Sequence, residues 1–411
     1  MSNLRILIAH PTGNQNVRNA ARALAEREML AEFWTTIAWN DHSRWNRLLP
    51  AGLQALLARR AYPDLPLQRI RCVPSRELLR LAAGLGPFAR FFTSAERPCS
   101  IVGVYRHFDR AVARRLAQLR PRAVYAYEGG ALQTFREARR LGIPTLYEQP
   151  SCYWYWVRDL LRQEAERNPE YASLLPNLVD SQQHLEWKDR ELALADHVIV
   201  ASRHVRGTLA PAVPDRKIRV VPYGAPPVRP RQLSSADRSR PLRVLFVGQL
   251  VQHKGIGYLL DAVAQLGSQV ELTLVGKRFR PHPRVDEACR RWRWFPTLPH
   301  NDVMNLMMQS DVLALPSLGE GFGLVVTEAL ACGLPVIVTP SVGAGDLIHD
   351  GREGFVVPVC SASAIAERLL GLHRDRELLA SMSLHAQAAA ARYSWDRYRS
   401  LFADTLGALI A

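Results

Sequence analysis

The chain has 411 residues, of which 48% are hydrophobic, and a net charge of +15; this is long enough for two domains and too apolar for a largely disordered protein. No apolar run reaches the ~20 residues that span a bilayer, and the N-terminus leads into a strand instead of a signal peptide, so we expect a cytoplasmic protein. The six cysteines lack CxxC spacing, which argues against a zinc site or a disulfide framework.

The positive charge is concentrated in the first half of the chain. Residues 1–230 carry a net charge of +13, whereas residues 231–411 carry +2. Residues 44–122 hold 16 arginines and 4 acidic residues, interleaved with the apolar side chains Trp45, Leu48, Leu49, Phe88, Phe91 and Phe92. This mixture suits an anionic membrane surface, although a solvated face or a general preference for arginine would also produce it. No zinc-finger, RRM-like or helix-turn-helix pattern accompanies the charge, so we expect no nucleic-acid partner.

The first residues have the pattern of a doubly wound domain. Residues 4–9 are predicted to form a strand, residues 10–14 a loop and residues 17–30 a helix. Ligands of such folds bind at the carboxyl ends of the strands, so Gly13 and Asn14 are candidate ligand-binding residues; an ordinary turn and helix cap is the alternative. Further strands are predicted at residues 33–37, 123–127 and 144–148, and helices at 153–166 and 171–194.

A second domain is predicted after residues 225–241, which are rich in Pro, Ser and Arg and lack periodicity. It opens with a strand ending at Gly248, a loop, and a helix starting near Gly255. Lys254 at the helix N-terminus combines a cation with free amides, which suits a diphosphate. The alternative, a solvated lysine, is unfavourable at the positive end of a helix dipole.

Residues 316–339, PSLGEGFGLVVTEALACGLPVIVT, are the most informative stretch. A buried strand at 312–316, a helix at 324–331 closed by Gly333, and a second strand form a βαβ unit. Glu320 lies in a loop whose glycines, at 319, 321 and 323, leave amides free to bind an anion or a polyhydroxylated ligand, and Glu328 lies within the helix. The glycines fall at every second position, unlike the GxGxxG of dinucleotide sites. A plain turn followed by a dipole-favoured acid is the alternative.

The spacing of Glu320 and Glu328 resembles the Glu-x7-Glu signature of retaining GT-B glycosyltransferases, in particular glycosyltransferase family 4 (glycosyl transferases group 1). The resemblance implies an α/β protein of two Rossmann-like domains facing a cleft, which moves a sugar from a nucleotide diphosphate sugar to an acceptor hydroxyl. It implies that Glu320 and Lys254 are catalytic, Glu320 near the donor sugar and Lys254 on the diphosphate. Glu328 would hold the ribose, and the other implied donor-binding residues are Gly13, Asn14, Gly248, Leu298, Gly321, Phe322, Gly323 and Leu324.

The chain departs from the resembled family at two positions. Members often carry a histidine after a first-domain strand, where this chain has YEGG and YEQPS; Glu128, Glu148, Gln149 and Ser151 are the alternatives for its role. Many relatives also pair an arginine with the lysine that corresponds to Lys254, and here Gln249 occupies the arginine's position. Part of the expected charge on the diphosphate is therefore absent from the motif.

The resemblance also implies the domain organisation. Residues 1–225 would form the acceptor-side domain, 226–241 the linker, 242–393 the nucleotide-sugar domain, and 394–411 a helix that crosses back to the first domain. No DxD motif occurs, so we expect neither a metal nor a cofactor besides the donor substrate. The expected acceptor is a glycan or a lipid-linked glycan precursor of polysaccharide synthesis, with peripheral attachment to the inner face of an anionic membrane. A hydrolysing nucleotide-sugar epimerase and a non-catalytic basic adaptor are the alternative functions.

Overall fold

The computed structural model describes residues 5–39, 54, 57, 60–83, 97–176, 181–231 and 239–411. The apolar residues Trp45, Leu48, Leu49, Phe88, Phe91 and Phe92, on which the predicted membrane contact partly depends, lie outside the described residues. Two parallel β-sheets organise the rest of the chain, as the predicted pair of doubly wound domains requires.

The first sheet has seven parallel strands in the order β3-β2-β1-β4-β5-β6-β7. The strands are β1 Ile6–Ala9, β2 Leu30–Thr35, β3 Ile70–Cys72, β4 Ala123–Tyr127, β5 Thr145–Gln149, β6 His197–Val200 and β7 Ile218–Val220. The order reverses between β1 and β4, so the loops that follow these two strands flank the crevice where such sheets bind ligands.

Helices cover the first sheet, and short 3-10 turns connect some of its elements. The described helices are α1 Gln15–Glu26, α2 Ser75–Ala83, α3 Ile101–Leu119, α4 Leu132–Arg140, α5 Trp154–Arg167, α6 Gln182–Leu194 and α7 Arg203–Leu209. Because helices lie on both faces, the interior strand β1 is buried along its whole length.

The second sheet has six parallel strands in the order β10-β9-β8-β11-β12-β13. The strands are β8 Leu242–Val247, β9 Val270–Val275, β10 Arg293–Phe295, β11 Val312–Leu315, β12 Val336–Val338 and β13 Gly354–Val356. Here the order reverses between β8 and β11. The loop that carries Lys254 and the loop that carries Glu320 are therefore neighbours at one crevice.

The second sheet is covered in the same way, and the last helix leaves it. The helices are α8 Ile256–Leu266, α9 Pro283–Arg291, α10 His300–Gln309, α11 Leu324–Ala331, α12 Ala362–Arg374, α13 Arg376–Arg392 and α14 Trp395–Ile410. Ser394 caps α14 by accepting a hydrogen bond from the Arg397 amide at 3.3 Å. The helix then packs against α1, and the Phe402 ring meets Tyr125 of the first sheet edge-on at 5.3 Å.

Two of the predicted helices have the wrong bounds. The predicted helix over 17–30 ends at Glu26, because Glu28 adopts a left-handed conformation with φ +57° and Leu30 already begins β2. The predicted helix over 171–194 is a 3-10 turn, Pro169–Leu174, followed by α6. Pro176 interrupts it, because the residue before a proline is held out of the helical region; Leu175 is extended.

Searched over its described ranges, the chain contains no helix that is both long and apolar enough to cross a bilayer. This finding does not test peripheral attachment to a membrane, which stays a prediction. The predicted domain boundaries also stay predictions.

Candidate active site

The glycine loop between β11 and α11 is fixed by backbone hydrogen bonds to the loop after β12. The Glu320 amide donates to the Ser341 carbonyl at 2.9 Å, and the Gly343 amide donates to the Glu320 carbonyl at 3.2 Å. Gly323 precedes the helix with φ +83°, a backbone conformation that is unfavourable for residues other than glycine. No side chain caps this helix. The predicted bounds of β11 and α11 agree with the structure to within one residue.

The same loop contacts the carboxyl end of the first sheet. A Cβ atom on Gly321 would lie 2.1 Å from the Pro150 carbonyl oxygen, so only glycine fits without movement. The Gly321 carbonyl accepts a hydrogen bond from Ser202 Oγ at 2.8 Å. Phe322 is buried, and its ring meets Tyr223 edge-on at 5.1 Å. The loop therefore lies between the two sheets, where a GT-B cleft would be.

Lys254 and Glu320 meet at the switch point of the second sheet. Lys254 ends a 3-10 turn, Gln252–Lys254, and Gly255 then starts α8 with φ +76°. Lys254 Nζ forms an ion pair with Glu320 Oε2, and the two side chains are 22% and 18% exposed. Burial lowers the pKa of Lys254 to about 8, and the nearby Cys152 thiol opposes the shift. The contact with Glu320 also favours the charged ammonium.

Glu328 lies further along α11, beside the segment predicted to hold the base. Its Oε1 is 3.9 Å from His300 Nδ1, at the start of α10, and its side chain is 15% exposed. Burial raises the pKa of Glu328, and the imidazole of His300 opposes the shift. Leu298, two residues before His300, is half-buried and packs against the hydrophobic core. His300 thus places Glu328 near the segment that contains Leu298, and the roles of both residues stay predictions.

The remaining predicted site residues lie at strand ends. Gly248 follows β8 and packs against Gly276, whose Cβ position would be 1.8 Å from the Gly248 carbonyl oxygen. Gly13 follows β1 and packs against the Tyr62 hydroxyl. Asn14 caps α1 by accepting a hydrogen bond from the Val17 amide at 3.0 Å. Asn14 therefore has the capping role of the structural alternative, and ligand binding by Gly13 and Asn14 stays a prediction.

The four residues that could take the role of the family's first-domain histidine have different surroundings. Glu148 is buried, and its Oε1 accepts hydrogen bonds from Tyr223 at 2.7 Å and Asn16 at 2.9 Å. Glu128 accepts one from Ser151 Oγ at 3.0 Å, and Ser151 Cα would lie 3.0 Å from a Cβ on Gly321. Ser151 therefore packs against the glycine loop and binds Glu128, whereas Glu148 belongs to the core. The Gln149 side chain donates to the Ser151 carbonyl.

Helix N-termini at the cleft differ in whether protein side chains already occupy them. At α4, the four amides of residues 131–134 donate to two buried carboxylates, Glu191 and Asp109, at 2.7–3.2 Å. The N-cap positions of α8 and α11 are Gly255 and Gly323, which have no side chain, although Gln252 Oε1 accepts from the Gly257 amide in the first turn of α8 at 3.1 Å. The starts of α8 and α11 therefore suit an anion better than the start of α4, where carboxylates accept from four amides.

Sequence reasoning missed several residues that shape this site: Ser202 on the glycine loop, His300 beside Glu328, and Gln252 next to Lys254. None of them belongs to a recognisable motif, because their roles depend on contacts between segments far apart in the chain. Across the described ranges, no cluster of three metal-ligating side chains is present.

Comparison with known proteins matches part of the chain to one family. Residues 232–389 match the family model of Glycosyl transferases group 1. A D-inositol 3-phosphate glycosyltransferase of Corynebacterium jeikeium is 32% identical over 204 residues, covering 44% of this chain and 49% of the relative. A phosphatidyl-myo-inositol mannosyltransferase of Mycolicibacterium smegmatis is 30% identical over 160 residues, covering 37% and 42%. The chain thus spans about half the length of the curated relatives that it matches.

Similarity of structure extends over the whole chain. The crystal structure of Anabaena HepE in complex with UDP matches with a TM-score of 0.62 and 18% identity, covering 98% of this chain and 100% of HepE. At that identity the match concerns the fold alone. The chain therefore has the GT-B fold, and its residues 232–389 resemble a Glycosyl transferases group 1 domain.

Proposed function

We propose that this chain is a retaining glycosyltransferase of family 4, which moves a sugar from a nucleoside diphosphate sugar to an acceptor hydroxyl. The observation that carries the proposal is the contact of Lys254 with Glu320 at the switch point, beside two helices that start at Gly255 and Gly323. A cation and two positive helix ends suit a diphosphate, and a neighbouring carboxylate suits the hydroxyls of the attached sugar.

In the proposed reaction, the bond between sugar C1 and the diphosphate oxygen breaks while the acceptor oxygen bonds to C1 on the same face. The acceptor proton passes to the departing diphosphate. Lys254 and the amides of the glycine loop stabilise the negative charge that develops on the leaving group, an effect worth about 100-fold or more per donor. Glu320 orients the sugar, and Glu328 accepts a hydrogen bond from the ribose.

The proposed donor is a UDP-sugar. HepE, which shares the fold, was crystallised with UDP, so uridine is the first base to test. The main chain at Leu298 would contact the base, close in the chain to His300, which lies beside Glu328.

The proposed acceptor is anionic and bound to a lipid, on the first-domain side of the cleft. The first half of the chain carries +13 of the net charge, and two exposed leucines, Leu78 and Leu79, project from α2. The mycobacterial relative is named for phosphatidyl-myo-inositol, which is an anionic lipid. We therefore propose peripheral attachment to the cytoplasmic face of a membrane and a role in the synthesis of a polysaccharide or a lipid-linked glycan.

The function can be tested in two steps with the intact chain. Thermal unfolding with UDP, GDP, ADP and TDP should show stabilisation by one of them, because a ligand at 100 times its Kd adds about 2.7 kcal/mol. The matching nucleotide sugar is then incubated with lipid-linked acceptors, and products are separated into glycoside, free sugar and epimer. A glycoside whose anomeric configuration is that of the donor supports the proposal.

Other outcomes point to the alternative functions. An epimer released without transfer would identify a nucleotide-sugar epimerase, and the absence of any nucleotide binding would identify a non-catalytic adaptor. The variant Lys254→Ala controls for contaminating transferases, because its preparation should contain the same impurities but lack the proposed leaving-group cation.

A further inference from the structure

Glu164 is a buried carboxylate on α5, a helix that lies between β5 and β6 of the first sheet in the chain. Its side chain is 1% exposed, yet its principal hydrogen-bond donors come from the second domain. Gln252 Nε2 donates to Oε1 at 2.7 Å, and the Tyr258 hydroxyl lies 2.8 Å from Oε1 and 3.0 Å from Oε2. The Cys360 thiol is 3.6 Å from Oε2, and Arg167 of the same helix is 3.7 Å away. Glu164 therefore joins the two domains.

Gln252 is held at both ends of its amide. While its nitrogen donates to Glu164, its Oε1 accepts a hydrogen bond from the Gly257 amide, in the first turn of α8, at 3.1 Å. A carboxylate accepts only and a backbone amide donates only, so these partners determine which way the side-chain amide faces. Gln252 is fully buried, which leaves water no place to substitute for either partner.

The segment that Gln252 closes contains Lys254. The Gly255 amide donates to the Gln252 carbonyl at 2.7 Å, so the backbone of Gln252 closes the turn and its side chain ties that turn to α5. Lys254 leaves this turn toward Glu320. The orientation of the lysine thus depends on a residue whose own partner belongs to the other domain.

Contacts besides those of Glu164 also join the two domains. The Tyr171 ring, just after α5, stacks on His282 with centroids 5.0 Å apart. Arg284 forms an ion pair with Glu170 across the domains at 3.7 Å, and it is held by Asp261 of its own domain at 2.6 Å. Removal of Glu164 alone should therefore leave the domains in contact, and its effect should be local to the turn.

We propose that Glu164 is a positioning residue that couples the approach of the two domains to the placement of Lys254. When the domains separate, the hydrogen bond between Gln252 and Glu164 breaks, and water hydrates each side chain. When they approach, the buried carboxylate needs its donors, and satisfying them orders the turn that carries the lysine. This inference rests on the proposed function, because the charge that Lys254 stabilises develops on the leaving diphosphate.

The test compares Glu164→Ala and Glu164→Gln with Glu166→Gln, a matched control on an exposed position of the same helix. Hydrogen exchange of the peptide that covers residues 252–258 is measured first, in the full chain without nucleotide. In Glu164→Ala the Gly257 amide should exchange about 10-fold faster, the factor that accompanies loss of about one hydrogen bond, while peptides from β8 and β11 stay unchanged.

Steady-state kinetics with the donor provide the second readout. We expect kcat to fall about 10- to 100-fold in Glu164→Ala and less in Glu164→Gln, whose oxygen still accepts one hydrogen bond. The donor KM should change less than about 3-fold, because the lost interaction acts in the transition state. Glu166→Gln should match the wild type in both measurements.

The outcomes separate this inference from the proposed function. Unchanged exchange at residues 252–258 in Glu164→Ala would overturn the coupling even if the enzyme transfers sugar. Faster exchange with kcat equal to that of Glu166→Gln would also overturn it, because the turn would then move without consequence for Lys254. A wild type that binds no nucleoside diphosphate would refute the proposed function, and the positioning role would fall with it, whatever the exchange rates.

Discussion

Replacing Glu328 tests the candidate site. The structure predicts that the substitution weakens nucleotide binding but leaves the free energy of unfolding unchanged or raises it. Its carboxylate is 15% exposed, and its near neighbour is a histidine at 3.9 Å, outside hydrogen-bond distance. Burial removes water from this carboxylate, and the histidine replaces little of the lost hydration. A ribose hydroxyl that donates a hydrogen bond to Glu328 should therefore stabilise the complex. A hydrogen bond to a charged group contributes about 1.5–3 kcal/mol, so Glu328→Ala should weaken nucleotide binding about 10- to 100-fold.

The stability effect of the substitution should be small or favourable. Because burial raises the pKa of Glu328, the folded state binds more protons than the unfolded state between the ordinary carboxyl pKa of 4.5 and the raised value. The wild type therefore loses stability as pH rises through that window. Glu328→Gln removes this loss, and its free energy of unfolding should equal or exceed that of the wild type at neutral pH.

Calorimetric titration with the stabilising nucleotide and urea unfolding at several pH values measure both effects. Glu367→Gln, an exposed change on α12, serves as the matched control and should alter neither quantity. Unchanged nucleotide affinity in a folded Glu328→Ala protein would remove Glu328 from the site. Reduced affinity together with a large loss of stability would mean that the residue supports the fold instead of the ribose.

Four further predictions concern the cleft and the membrane. Lys254→Ala should lower turnover about 100-fold, and wild-type rates in both Lys254→Ala and Glu320→Gln would refute the catalytic assignment. Burial lowers the pKa of Lys254 to about 8 and the Glu320 carboxylate opposes this shift, so wild-type turnover should fall as pH rises above about 8, whereas Lys254→Arg should keep its residual rate. Gly321→Ala places a methyl group 2.1 Å from the Pro150 oxygen, so kcat/KM should fall at least about 10-fold, while Gly371→Ala, with open space around it, should not affect it. Sedimentation with anionic vesicles at low salt should exceed that with neutral vesicles or at high salt, and equal, negligible binding throughout would indicate a soluble acceptor.

The sequence by itself determined the fold class and the central motif. Parallel strands buried on both faces are nearly continuous apolar runs, so β1, β4 and β11 could be recognised from residues 4–9, 123–127 and 312–316. The loop with Glu320 and the helix with Glu328 were recognisable because the glycines and the spacing of the acids are local properties. The charge asymmetry between the two halves is likewise a property of composition.

Only the tertiary structure decided which residues meet. Glu128 follows β4, and Glu148 lies near the end of β5, so both are close to the carboxyl edge of the first sheet. Glu128 accepts a hydrogen bond from Ser151 beside the glycine loop, while Glu148 accepts one from Tyr223, 75 positions away in the chain. The contact of Lys254 with Glu320 follows from the strand order, which places β8 beside β11. Glu164 looks like an ordinary helical acid in the sequence. Its burial against Gln252 arises only because the two domains fold onto each other, and hydrophobic spacing within one segment carries no information about that contact.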